Sequence, residues 1–90
     1  MPNITSAKKR MRQNVDRRLR NRGRRSQMRS EVRKFRELVD EKKFDEAREV
    51  LKAVYRVIDR TSQKGAIHSN TAARYKSRLT RYLNVQATAT

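Results

Sequence analysis

MRSEVRKFRELVDEKKFDEAREVLKAVYRVI, Met28 to Ile58, is the stretch that decides the fold. Its apolar residues fall into two stripes. Met28, Val32, Phe35 and Val39 make the first; Phe44, Ala47, Leu51, Val54 and Ile58 make the second, at spacings of 3 and 4. That is the period of one buried face on an α-helix. Only Glu41 to Lys43 stands between the stripes. So short a link joins antiparallel neighbours, which brings the two stripes face to face.

Downstream, Ala72, Leu79 and Leu83 form a third stripe, with Tyr75 and Tyr82 on its edge. Aromatic residues at helical spacing usually pack, so both tyrosines are expected to close the core edge rather than stack on bases. The second connection runs from Gln63 to Ser69, with Gly65 placed to end one helix and Ser69 or Asn70 to cap the next. Pro2 is the only proline, and Gly23 and Gly65 are the only glycines. So few breakers, with almost no alternating β-branched pattern, predict an all-α fold. The expectation is a three-helix bundle in one domain, 1–90, with helices over 6–39, 44–61 and 70–83 and a flexible tail, 84–90.

The first helix is longer than its partners can cover. At 1.5 Å per residue the three would measure ~50, ~27 and ~21 Å. Its N-terminal half therefore projects from the bundle. Met11, Val15 and Leu19 form only a weak stripe there, rotated by about a third of a turn from the Met28 stripe. With little to bury and much like charge, this arm is expected to fray until it meets its partner.

Charge names the class of that partner. The 90 residues carry 25 lysines and arginines against 9 acids, a net charge of +16. Residues 1–36 carry 14 bases and 2 acids, residues 37–60 carry 6 and 7, and residues 61–90 carry 5 and none. Binding charge thus sits at the two ends, and the acid-rich middle is expected to cap the second helix and face away from the partner. A polyanion is implied, nucleic acid before an anionic membrane surface. With no cysteine there is neither a disulfide nor a thiolate metal site. No apolar run approaches the ~18 residues of a membrane span, and the N-terminus lacks a secretory h-region. A cytoplasmic protein is expected. No carboxylate pair, activated nucleophile or glycine-rich phosphate loop is present, so neither an enzyme nor a cofactor, metal or small-molecule substrate is expected.

The bases are arranged. Arg18, Arg22, Arg25, Arg29, Arg33 and Arg36 follow steps of 4, 3, 4, 4 and 3, a ridge beside the apolar stripe. Arg10, Arg17 and Arg24, at steps of 7, make another row. Arg74, Arg78 and Arg81 form a ridge opposite the third apolar stripe. Guanidinium forks match phosphate oxygens in pairs. An arm that is basic nearly all round suits insertion among several phosphate backbones. Gly23, in mid-helix, costs ~1 kcal/mol relative to alanine; it either admits a close backbone or is a tolerated weak spot. His68, the only histidine, is a poor metal ligand with no cysteine or acid cluster nearby, and is expected to bond the loop or a phosphate.

Two blocks resemble a known family. SAKKRMRQ, Ser6 to Gln13, followed by RNRGRRSQMR, Arg20 to Arg29, looks like the N-terminal half of the bacterial small-subunit ribosomal protein family numbered twenty. KGAIHSNTAARYKSRL, Lys64 to Leu79, looks like its most specific block, and Asp59 before it also fits. The resemblance implies a three-helix bundle with a long first helix. It also implies direct binding of 16S ribosomal RNA early in assembly, bridging two RNA regions, by a protein that is monomeric in the particle. The RNA-binding residues expected from pattern and resemblance together are Ser6, Lys8, Lys9, Arg10, Arg12, Arg17, Arg18, Arg22, Arg24, Arg25, Arg29, Arg33 and Arg36. Lys64, His68, Asn70, Arg74, Lys76, Arg78 and Arg81 complete them. One departure is Gly23, where a serine or alanine is more usual.

Other readings were weighed. Charge alone would suit a DNA-packaging protein. KFDEAREVL resembles part of a tetratricopeptide unit, but one unit without stacked copies cannot bury its face. A membrane-surface helix would need a longer apolar face than Met11, Val15 and Leu19 supply.

Overall fold

The computed structural model describes residues 4–89, with side chains from Ser6 onward. They form three helices: α1, Ile4–Asp40; α2, Phe44–Gln63; and α3, Ser69–Ala89. The particle is a rod of 66 × 20 × 15 Å. α2 is the central element, packed on both α1 and α3, while α1 and α3 meet each other only slightly.

The three stripes close one core. Met28, Val32, Phe35 and Val39 from α1 meet Ala47, Leu51, Val54 and Ile58 from α2 and Ala72, Leu79 and Leu83 from α3. Phe35, Ala47, Val54 and Ile58 expose nothing. Phe44, Tyr75 and Tyr82 are half-buried against this core, as edge residues. Thr61 and Ala66 are also buried. Thr61 satisfies its hydroxyl by donating to the Val57 carbonyl at 2.7 Å.

Both junctions end their helices in the same way. After α2, the Ala66 N–H donates to the Thr61 carbonyl and the Gly65 N–H to that of Ser62, with Gly65 at φ +77°. This is the Schellman arrangement, whose left-handed residue is usually glycine. After α1, the Lys43 N–H donates to Leu38 and the Lys42 N–H to Val39. There the left-handed position is held by Lys42, at φ 63°. A side chain at that position costs energy that glycine does not, so α1 closes its turn under mild strain.

Three start and stop expectations need correction. The acids at the start of α2 make no side-chain cap, and Lys43 occupies the N-cap position without one. Asp45 and Glu46 instead sit in the first turn, where the helix dipole favours them. The cap of α3 is His68, not Ser69 or Asn70. Its carbonyl accepts the first helical bond from Ala72, and its Nδ1 accepts the Asn70 N–H at 3.1 Å. α3 continues past Leu83 to Ala89, so residues 84–89 are helical where a tail was expected. No glycine or proline interrupts that segment, and Thr88 donates to the Asn84 carbonyl one turn back.

Polar ties fix the helices at their edges. Thr80 Oγ1 donates to the Lys76 carbonyl, so Tyr55 on α2 is the donor in its bond to Thr80 on α3. The Tyr82 hydroxyl donates to Asp40 at the end of α1. Lys76 and Asp59 form an α3–α2 ion pair at 2.9 Å.

Candidate nucleic-acid interface

Every residue from Ser6 to Arg20 is exposed along the projecting part of α1. Ser6, Lys8, Lys9, Arg10, Arg12, Arg17 and Arg18 therefore stand in solvent around the arm, followed by Arg22. Met11, Val15 and Leu19 are exposed among them. The two apolar stripes of α1 point about a third of a turn apart, so only the second enters the core.

Where the arm joins the bundle, the arginine ridge gains a partner from another helix. Arg29, Arg33 and Arg36 of α1 and Arg78 of α3 line one cleft of about 520 Å³, with Met28, Val32 and Tyr75 also in its lining. The local cause is the heptad-like drift of α1. The same turns that put Met28 and Val32 into the core put Arg29, Arg33 and Arg36 beside it. No carboxylate lines this cleft. Arg74 joins Arg78 and Tyr75 in an adjoining depression with Thr71. Four guanidinium groups from two helices facing one concavity can grip an anion from both walls.

Other expected site residues are partly committed to the fold. The Arg25 guanidinium donates to the Ala66 carbonyl at 3.4 Å and so ties α1 to the second connection. His68 and Asn70 build the start of α3. Lys76 is paired with Asp59, so its charge is largely spent inside the protein. Arg81 leaves its expected ridge. It borders a separate, mainly apolar depression with Tyr55, Thr80 and Val85. Arg24 and Lys64 come together in a third place, a cleft between α1 and the end of α2 that also includes Arg60. Arg60 was missed in the sequence, hidden inside a segment that is neutral only on average.

The acid-rich edge neutralises its own bases. Arg48 pairs with Asp45 at 3.1 Å, Lys52 with Glu49 at 3.5 Å and Lys43 with Glu41 at 3.2 Å. The hydrogen bond and nearby charge of Glu41 raise the Lys43 pKa above its usual value. Such exposed pairs add little stability, but they cancel charge locally. Among the described residues, no helix is long and apolar enough to cross a membrane, and no group of three or more His, Cys, Asp or Glu could hold a metal ion.

Comparison with known proteins agrees with this geometry. The family model described as Ribosomal protein S20 matches residues 2–84. A small ribosomal subunit protein bS20 from Aquifex aeolicus is 46% identical over 84 residues, covering 93% of this chain and 89% of the relative. The proteins of that name from Rhodopirellula baltica and from Mycobacterium sp. strain JLS are each 48% identical. The former alignment covers 88% of both chains, and the latter 93% of this chain and 98% of the relative. With such identity over nearly its whole length, the chain belongs to the Ribosomal protein S20 family, whose members are structural proteins of the ribosome and not enzymes.

Proposed function

We propose that this chain is a structural constituent of the small ribosomal subunit that binds 16S ribosomal RNA directly. It holds separate RNA segments together during assembly, as a monomer in the particle, in the bacterial cytoplasm, with no cofactor. The observation that carries the reading is the cleft of Arg29, Arg33, Arg36 and Arg78, in line with an arm that is basic on every face. Family membership supplies the setting.

The chemistry is phosphate recognition. Each phosphate neutralised releases condensed counterions, so log affinity falls with log salt by about 0.7–0.9 per contact. A cleft supplied by two helices fixes the register of one backbone, and the arm reaches others. Phosphate contacts position a protein; discrimination then comes from the shape of folded RNA that brings several backbones to the right places.

The test is a titration of the protein against folded 16S ribosomal RNA and mixed-sequence duplex DNA at several salt concentrations. The reading predicts markedly tighter binding to the RNA at physiological salt. Equal affinity for the two would overturn it.

A further inference from the structure

α2 carries its own basic ridge. Arg48, Lys52, Arg56, Arg60 and Lys64 follow one another at steps of 4, which keeps them on one slowly turning face. The two halves of that ridge differ. Arg48 and Lys52 each have an acid three residues earlier and are paired with it, Asp45 and Glu49. At the corresponding places before Arg56 and Arg60 stand Ala53 and Val57, and before Lys64 stands Thr61, whose hydroxyl is turned to the Val57 carbonyl. None of these three bases forms an ion pair among the described residues. Arg60 and Lys64 meet Arg24 of α1 in a cleft of about 180 Å³, with Gln27, Val57 and Thr61 completing the lining and no carboxylate present.

We infer that the Arg24–Arg60–Lys64 cleft is a second backbone-binding site, which takes a phosphate of the RNA on the α1–α2 side of the bundle, apart from the α1–α3 cleft. The inference rests on the ribosomal RNA reading above and adds to it the residues of α2. Three cations from two helices converge there although like charges repel, and nothing in the protein offsets them. Arg24 is held in place by its bond to Asn21 Oδ1 at 3.2 Å and is half-buried, so one wall of the cleft is pre-set. Arg56 extends the ridge one turn further along α2 and can meet the next phosphate of the same strand.

Two double variants of equal charge change separate a contact from a general field. Arg60→Gln with Lys64→Gln removes two cleft bases; Arg48→Gln with Lys52→Gln removes two paired ones. All four are exposed, and folding is checked by circular dichroism and urea titration. Binding to 16S ribosomal RNA is measured from about 50 to 200 mM salt. The cleft double is expected to flatten the log–log salt slope by about 1.5, from two contacts at 0.7–0.9 each. The Arg48/Lys52 double is expected to change it by less than about 0.5. Should the end of α2 fray, Arg24→Gln on the opposite wall gives the same reading with about half the change. Equal effects of the two doubles would overturn the inference, leaving only net charge. So would an unchanged slope in the cleft double while Arg29→Gln, Arg33→Gln and Arg78→Gln together still flatten it; the first cleft would then stand alone. If neither set alters the slope, the arginine-mediated reading itself falls with it.

Discussion

Gly65→Ala isolates the backbone logic of the bundle, because the structure removes every other cause of a change. Gly65 sits at φ +77°, where an L side chain is strained, yet a Cβ built there meets no atom within 4 Å. No packing is lost and no clash is created. The cost is the left-handed penalty alone, about 1–2 kcal/mol, partly offset by about 0.4–1 kcal/mol of lost freedom in the unfolded chain. A net loss of about 1 kcal/mol should lower the melting temperature by roughly 4–8 °C for a domain of this size. Lys42 is the mirror experiment, since it already carries a side chain at φ 63°. Lys42→Gly should be neutral to stabilising, by up to about 1 kcal/mol. Urea titration followed by circular dichroism reads both, with the slope of the transition unchanged. If Gly65→Ala is neutral, or Lys42→Gly destabilises by a kilocalorie, the paired helix-ending motifs do not work as described.

Further expectations concern core, edge and arm. Leu51→Ala, at a buried position of the central helix, should cost about 2–5 kcal/mol, and a refolded variant should keep its salt slope. The Tyr82 hydroxyl donates to Asp40, which with burial raises its pKa above 10. The folded chain therefore holds that proton more tightly than the unfolded chain, and the bond's contribution, complete below pH 10, is lost as pH rises through the folded value. Tyr82→Phe should abolish that part of the pH dependence in urea titrations above pH 9. Gly23 has open space around it, so Gly23→Ala should stabilise the free protein by about 0.5–1 kcal/mol. A simultaneous loss of RNA affinity would identify Gly23 as a place of close backbone approach, and unchanged affinity as a tolerated weak spot. Amide exchange in the free protein should leave Lys8 to Arg20 weakly protected and become slow there on binding RNA; strong protection without RNA would contradict a partner-dependent arm.

The sequence displays the core openly, because burial follows helical period: each stripe from Met28 to Leu83 lies where spacing places it. Gly65 is legible for a similar reason, since one residue type dominates one conformation. Its counterpart Lys42 is not, because lysine carries no signal for a left-handed backbone. His68 as a cap is hidden in the same way, its ring nitrogen doing what serine or asparagine oxygen usually does. The end of α3 was misjudged because an exposed segment without a stripe can still be helical when nothing breaks it. Charge was the subtlest case. A sum over residues 37–60 averages bases that have an acid one turn away with bases that do not, and so conceals Arg56 and Arg60. Steps of 3 and 4 also drift around a helix, which is why Arg81 parts from Arg78 once α2 is in place.

A cross-linking map of the protein bound to 16S ribosomal RNA tests the central claim most directly. Contacts should fall along the arm from Lys8 to Arg22, at Arg29, Arg33, Arg36 and Arg78 on one side of the bundle, and at Arg24, Arg60 and Lys64 on the other. The self-neutralised edge from Glu37 to Lys52 should be bare. Cross-links concentrated on that acidic edge, or spread evenly over the whole rod, would contradict an interface built from unpaired bases.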